Sequence, residues 1–587
     1  MDGLNRVRDA FDRAEDIPFD GGGPPDPPFS PEEIAPPIEA ECALAPLNDY
    51  GNGQRFNRHF GEDSLFVPRV GWFRWSGAVW EQDEDRLKVR ELAQQVAARI
   101  LDEIPFLALE DWERNIADLA EAAQEELAPL SAKEVGDLTG KDRARMKELR
   151  RAVEAGEDVK KALASRKKSH RAHAKAAGNT HSINNMLTEA QVANAAAVSD
   201  MNADPRAINT LSGVIRFGEY EDKIAASFDQ PAVRTWDYVL EPHNRDDLIS
   251  KMIPVEVDPA ATCPVFDAFL ERILPRPEVR QFLKRWFGYS LTGLTVDQGL
   301  VFLHGGGRNG KSTLVDTIAE IMADYAVSIP IESLTGSEQR KGSDATPDLV
   351  RIPGARMVRA SEPEQGTKMK EALIKALTGG EPILIRRMAQ EFVEVKPEFK
   401  LTISGNHKPE IRGGDDGIWR RVMLVPFEEK ITDEEVDKLL PEKLRAERSG
   451  ILNWLLEGAL EWFERGLEPP GVVLEAIQDY REQSDPLRTF FRDECEITGS
   501  AEDFTAAKDL VEAFQLYLEE AGNEPWGKRA TSNQIRSRAG MQKHEKTGAV
   551  FTPHKRGTTG YLGIHLGPNM VAALAAKRHG FGGGYGE

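Results

Sequence analysis

The sequence has 587 residues, 40% of them hydrophobic and 29% charged, with a formal net charge of −22. At roughly 150 residues per domain that length implies about three or four domains, and no stretch approaches the roughly 18 uninterrupted apolar residues that a membrane span needs. The charge excludes a nucleic-acid contact spread over the whole surface, so any such contact must come from local basic patches.

Cys42, Cys263 and Cys495 are far apart and form no Cys-x-x-Cys pair, which argues against a disulfide framework or a zinc knuckle. The acidic amino terminus lacks the apolar core of a secretory signal, which predicts a cytoplasmic protein without a membrane partner. Asp16 to Pro37, rich in Pro, Gly and Asp, reads as part of a flexible leader over residues 1–46. Gly71-Trp72-Phe73-Arg74-Trp75-Ser76-Gly77-Ala78-Val79-Trp80 predicts a hairpin around a Ser-Gly turn. Its tryptophans fit a hairpin core better than stacking on bases.

From Arg86 to Lys175 the composition is that of helices, with helical spacing at Leu107, Trp112, Ile116 and Leu119. A basic run lies here, Lys160, Lys161, Arg166, Lys167, Lys168, Arg171 and Lys175; it either guides nucleic acid or is simply solvated. Asn202-Ala203-Asp204-Pro205 breaks the pattern, and Val265 to Leu291 reads as one apolar helical run.

The sharpest pattern is Gly305-Gly306-Gly307-Arg308-Asn309-Gly310-Lys311-Ser312-Thr313, a complete G-x4-G-K-S sequence. It follows an apolar strand, Leu300 to Leu303, and opens a helix whose Leu314, Val315, Ile318 and Met322 share one face. Backbone N–H groups of such a loop close around phosphates, Lys311 reaches the terminal phosphates and Ser312 can ligate Mg²⁺. The predicted ligand is ATP with Mg²⁺, held by Gly305, Gly307, Arg308, Asn309, Gly310, Lys311, Ser312 and Thr313. Hydrolysis also needs an acid at the end of a neighbouring strand. Arg356 to Glu362 supplies one, with Glu362 the first choice for catalysis and metal binding and Glu364 the second, although Arg359 interrupts the apolar strand. Phe399 to Asn406 is an alternating strand ending in an amide, and Asn406 suits the role of orienting water or the γ-phosphate.

Arg420 and, second, Arg421 precede the strand Val422 to Val425. Either could act as a finger on a neighbouring subunit's nucleotide, a contribution worth roughly 10³ to 10⁵-fold in other NTPases. The alternative is a surface ion pair with Asp415 or Asp416. Beyond Pro486 the order helix (Ala506 to Glu520), helix (Ser532 to Ala539) and strand pair predicts a winged helix. From Trp526 to Leu566 eight Lys or Arg stand against one acid, Glu545. That reversal marks Lys528, Arg529, Arg536, Arg538, Lys555 and Arg556 as DNA contacts, with a solvated basic face as the alternative.

Taken in order, these motifs resemble superfamily 3 helicases. Asn202 to Pro205, Ile208 to Thr210, Gly213 to Ile215, Asp258 to Pro264 and Trp286 to Tyr289 look like the domain preceding the motor in phage and plasmid primase-helicases related to the poxvirus primase-helicase. The resemblance implies a homo-oligomeric ring, a hexamer, acting on single-stranded or forked DNA. It also implies a DNA-contacting hairpin, here Pro382 to Lys396 with a turn at Ala389-Gln390, whose contacts are Arg386, Arg387 and Lys396. An amino-terminal primase domain has no room before Trp72, so a separate primase or polymerase is the expected partner.

The expected fold is therefore multidomain α/β: a P-loop, AAA+-like superfamily 3 ATPase core with a mostly helical amino-terminal domain and a carboxy-terminal winged helix. The expected boundaries are 1–46 leader, 47–257 amino-terminal domain, 258–475 ATPase, 476–568 winged helix and 569–587 Gly-rich tail. Two other functions fit the same residues. One is an origin-binding initiator whose ATPase drives assembly alone, and the other is a P-loop ATPase that remodels protein partners.

Overall fold

The helical stretch after Arg86 folds against the residues that precede the aromatic hairpin, and the hairpin itself belongs elsewhere. A computed structural model describes residues 36–221, 234–336, 348–386, 392–411, 416–522, 525–544 and 546–578. The chain divides into a unit of Met1–Ser64 with Arg86–Asn194 and a second of Leu65–Asp85 with Ala195–Glu587.

The first unit is helical: α1 (Ile38–Cys42), α2 (Asp49–Phe60), α3 (Leu87–Asp102), α4 (Asp111–Ser131), α5 (Gly140–Ala177) and α6 (Thr180–Ala190). Its centre holds a fully buried ion pair, Arg55 Nε to Glu103 Oε1 at 2.7 Å, with the guanidinium also donating to the Pro46 carbonyl at 2.8 Å. A buried charge persists only when paired and hydrogen-bonded in this way. α4 and α5 form a long hairpin, and α5 starts with a capping box in which the Asp142 N–H donates to Thr139 Oγ1 at 3.1 Å. The apolar spacing expected for this region marks the wrong stripe. Trp112 and Leu119 are exposed and Leu107 precedes the helix, whereas Glu113, Ala120 and Ala123 are buried. The reason is close approach, because a Cβ on Gly156 would lie 2.2 Å from the Ala120 Cβ, and such a seam admits only small side chains.

In the second unit, β1 (Ser64–Val67), β2 (Gly71–Trp75) and β3 (Trp80–Asp83) form one sheet, with Trp75 opposite Trp80. Trp72 and Trp80 are buried, as hairpin core requires. A second sheet comprises β4 (Ala207–Thr210), β5 (Gly213–Glu221) and β6 (Arg234–Glu241). Ile208, Ile215 and Phe217 of this sheet share one hydrophobic core with the helices that follow. The expected boundary at 257 is therefore corrected: no break in packing occurs there, and the expected 47–257 domain is split between the two units. The single run Val265 to Leu291 is likewise two helices, α7 (Pro264–Ile273) and α8 (Pro277–Tyr289), because Pro275 and Pro277 cannot continue a helix but Pro277 can start one.

Next come β7 (Leu300–His304), α9 (Lys311–Met322), β8 (Ala326–Ser328), β9 (Met357–Ser361), α10 (Glu371–Gly379), β10 (Ile383–Arg386), β11 (Phe392–Val395), β12 (Lys400–Gly405), α11 (Asp416–Trp419) and β13 (Val422–Pro426). Five strands make an all-parallel sheet in the order β13-β7-β12-β9-β8. Both faces are covered, so the strands are largely apolar, with Arg359, Lys400 and Thr402 among the polar exceptions. Val301 and Leu303 join the core of α7, α8 and α9, while Leu300 and Phe302 join that of α10 and Tyr480. α12 (Leu440–Ala446), α13 (Arg448–Arg465) and α14 (Gly471–Gln483) complete this region.

A third core serves α15 (Pro486–Asp493), β14 (Cys495–Ile497), β15 (Phe504–Ala506), α16 (Ala507–Glu520), α17 (Lys528–Arg538), β16 (Thr552–Arg556), β17 (Thr558–Leu562), β18 (Ile564–Leu566) and α18 (Pro568–Arg578). α18 occupies much of the expected tail, because Met570 and Leu574 are buried and Lys577 pairs with Glu519 at 2.5 Å. Residues 1–35 of the expected leader and 579–587 of the tail lie outside the described residues, and α1 stands within the rest of the leader. Among the described residues no helix is long and apolar enough to cross a membrane.

Candidate active site

β7 delivers the chain through Gly305 to Gly310 into α9, with Arg308 at φ 60° and Gly310 at φ 79°. A side chain on Gly310 would meet both that backbone conformation and the Ile273 Cγ2 at 2.5 Å, which explains the glycine. The Lys311 ammonium folds over the loop and donates to the Gly305 carbonyl at 2.7 Å, the Gly306 carbonyl at 3.2 Å, Asn309 Oδ1 at 3.0 Å and Asn406 Oδ1 at 3.3 Å. Burial lowers the pKa of this lysine and the Glu362 carboxylate opposes the shift. A cation ringed by neutral oxygens is one that an anionic ligand can take over with a gain in charge pairing.

Sheet register brings the other two candidates to the same edge. Gly405 lies opposite His304, and Ser404 opposite Ser361, so the residues that follow β7, β12 and β9 emerge side by side. They are the glycine loop, Asn406 and Glu362, and both Asn406 and Glu362 are exposed. Glu362 adopts φ 56°, held by its N–H donating to the Ser404 carbonyl at 2.8 Å. A non-glycine residue kept in this region stores strain, a feature concentrated at functional sites. Glu364, the second choice, is exposed in the turn that follows. Arg359, which interrupts an otherwise apolar strand, is satisfied by an ion pair to Asp316 and by Ser328 Oγ at 2.7 Å from its Nε. Being next to the short edge strand β8 leaves its head group room to reach solvent.

Three residues escaped the sequence reading. His304 ends β7 half-buried, and burial with the nearby Lys408 and Lys311 charges lowers its pKa. Pro363 packs on Gly405, where a Cβ would lie 2.5 Å from the Pro363 Cδ. Asp433 pairs with Arg308, and the Ile431 N–H donates to the Arg308 carbonyl at 2.8 Å, so the segment after β13 lies along the loop. Only the strand-end position of His304 was visible in the sequence, because the other two contacts join distant segments.

The arginine candidates separate. Arg420 is exposed, but Arg421 is buried and donates to the Gly417 carbonyl at 2.6 Å and Gln298 Oε1 at 3.1 Å. Arg421 as a finger is corrected on this ground: its guanidinium serves the fold. The Leu300 N–H donates to the Arg421 carbonyl, which puts both arginines at the opposite end of β7 from the glycine loop, about 13 Å away at 3.3 Å per residue. Asp415 lies outside the described residues.

Of the DNA candidates, Lys396 is exposed after the β10–β11 hairpin, Arg386 ends β10, and Arg387 with the Ala389-Gln390 turn lies outside the described residues. Lys528, Arg529 and Arg536 are exposed on α17, and Lys555 and Arg556 on β16. Arg536 interacts with Tyr561 of β17, whose hydroxyl pKa is raised by burial and lowered in part by that arginine. Arg538 is the exception, because it is tied to Asp485 at 2.5 Å and so is committed within the protein.

Residues 53–275 match the family described as D5 N terminal like, and residues 303–421 match a family of unknown function, DUF5906. Over part of its length the chain is similar to D5-like proteins and to viral proteins named as helicases. Among these relatives, "Putative helicase L207/L206" of Acanthamoeba polyphaga mimivirus is 28% identical over 270 residues, 42% of this chain and 28% of that protein. "Putative helicase 022R" of Frog virus 3 is 27% identical over 269 residues, 42% of this chain and 28% of that protein. The matched stretch thus spans little more than a quarter of either relative. The apo structure of the NrS-1 C-terminal region overlaps 53% of this chain and 78% of its own, at 15% identity and a TM-score of 0.33.

Proposed function

We propose that this chain is an ATP-driven DNA helicase or translocase of replication, acting in the cytoplasm of a phage- or virus-infected cell or a plasmid host. The observation that carries the reading is the meeting of Lys311 with Asn406 over the glycine loop, beside Glu362, at the carboxyl ends of three adjacent parallel strands. Ligands of open parallel sheets sit at that edge. Gly305 to Gly310 then serves as a phosphate-binding loop whose backbone N–H groups and Lys311 hold the β- and γ-phosphates, with Thr313 in the first turn of α9. Asn406 orients the attacking water or the γ-phosphate, and Glu362 polarises that water.

The Ser312 hydroxyl and the Glu362 carboxylate are exposed oxygen donors at this edge, a set that suits Mg²⁺ together with phosphate oxygens and water. When bound, the ion neutralises charge on the transferring phosphoryl group. Because Arg420 stands at the far end of β7, it cannot serve the loop of its own chain. In a homo-oligomeric ring, a hexamer in this reading, it would complete a neighbour's site. The β10–β11 hairpin with Arg386, Arg387 and Lys396 would contact single-stranded or forked DNA, and the winged-helix module with α17 and β16 would bind DNA through Lys528, Arg529, Arg536, Lys555 and Arg556. The exposed basic face of that module, built on its own core, also favours a second reading, an origin-binding initiator.

The test is the steady-state ATPase rate with and without single-stranded DNA, for wild type and Lys311→Ala at fixed salt. The motor predicts DNA stimulation that disappears in Lys311→Ala. ATP turnover indifferent to DNA would instead leave an assembly or remodelling ATPase.

A further inference from the structure

We propose that the outer face of α5 is a second nucleic-acid contact, a stripe formed by Lys161, Lys168, Arg171 and Lys175 that tracks the phosphate backbone. It rests on the nucleic-acid part of the reading above but not on the motor.

Residues 159–177 contain seven Lys or Arg and no acid, in a chain with 97 acids against 75 bases. At about 100° per residue the four named cations fall within about 80° of one another, over a length of about 21 Å. All four are exposed, while His170, Ala174 and Ala177 are buried on the opposite face. The remaining cations of the run are engaged or lie to one side: Arg166 pairs with Glu113 at 2.5 Å and Lys160 with Glu157 at 3.6 Å. Lys161 has only an exposed partner, Asp158 at 3.2 Å. Among the described residues Lys168, Arg171 and Lys175 make no ion pair. On the same hairpin Arg145, by contrast, is matched by Glu126 at 2.8 Å and Glu148 at 2.9 Å.

Arg171 repels both Lys168 and Lys175 at helical spacings of three and four, which weakens the helix unless an anion relieves it. The helix dipole accounts for Lys175 in the last turn, but its influence does not extend to Lys161 or Lys168. A membrane surface is a poor fit, since the apolar face of α5 is already buried within the unit. A straight row of point charges on a rigid helix matches a linear polyanion, and three lysines to one arginine suit contact without sequence preference.

The experiment is fluorescence anisotropy of the full chain with labelled single-stranded and duplex DNA, without nucleotide, across about 50 to 200 mM salt. The test variant carries Lys161→Gln, Lys168→Gln, Arg171→Gln and Lys175→Gln. The control carries Arg145→Gln, Lys443→Gln, Arg445→Gln and Lys577→Gln, which removes the same charge from cations paired to acids. Four phosphate contacts predict a fall in the log K against log salt slope of about 2.8 for a single strand or about 3.6 for duplex in the stripe variant, and little change in the control. An unchanged slope, an equal fall in both variants, or no DNA binding by wild type overturns the proposal. If the fourfold variant loses helicity, Lys168→Gln with Arg171→Gln carries the test at half the effect. Lys311→Ala retains the wild-type slope, so failure of the motor and failure of the stripe are told apart.

Discussion

Gly405 ends β12 without a side chain, and the Pro363 ring fills the space a Cβ would take. That contact joins the strand bearing Asn406 to the left-handed turn bearing Glu362, so the two groups proposed to manage water are positioned together. A displacement of about 1 Å at such a site can cost about 100-fold in rate. Gly405→Ala is expected to lower kcat by about 10- to 100-fold with little change in KM for ATP. Adding Pro363→Ala, which removes the clashing ring, should restore much of the loss. Steady-state kinetics of the two variants check this, and failure of the second substitution to rescue would assign the loss to general misfolding.

At the scale of elements, the segment after β13 is fastened against the glycine loop. Arg272 on α7 donates to Glu435 at 2.9 Å and Glu429 at 3.0 Å, while the Thr432 N–H donates to Glu435 at 2.8 Å. The Arg272 guanidinium, with Thr432, holds the Glu435 pKa down at about 2. A carboxylate depressed on folding contributes stability above its unfolded value, about 4.3, and loses it as pH falls through its folded value. The difference in melting temperature between wild type and Glu435→Gln should therefore be constant near neutrality and shrink as pH falls from about 4.3 towards about 2. A difference that did not change with pH would show that this carboxylate is not what fastens the segment.

At the scale of the whole molecule, adjacent arginines have opposite duties. Arg421→Ala deletes the hydrogen bonds from a buried guanidinium to the Gly417 carbonyl and Gln298 Oε1, so it should destabilise the protein by about 1–3 kcal/mol, seen as a lower melting temperature. Arg420→Ala should leave stability within about 0.5 kcal/mol. If Arg420 serves a neighbour, mixing Arg420→Ala with Lys311→Ala, each inactive alone, should restore part of the ATPase rate, because the intact glycine loop of one chain then meets the intact Arg420 of the other. No activity in the mixture would mean that Arg420 does not act across subunits.

What could be read from sequence was what is local. The strand, glycine loop and helix from Leu300 to Met322 are contiguous, and the hairpin at Trp72 to Trp80 is two aromatic strands around a Ser-Gly turn, so local signals determined both. The acid after β9 and the amide after β12 were legible for the same reason, each closing an apolar strand. Only tertiary structure could decide the rest, because pairing between distant segments leaves no periodic trace. It joined Leu65–Asp85 to the chain beyond Ala195. It packed α4 on α5 through alanine and glycine while Trp112 and Leu119 stayed exposed, buried Arg421 beside an exposed Arg420, and committed Arg538 to Asp485. Charge and apolar spacing state what a residue can do. Which partner lies within 3 Å of it is a property of the fold.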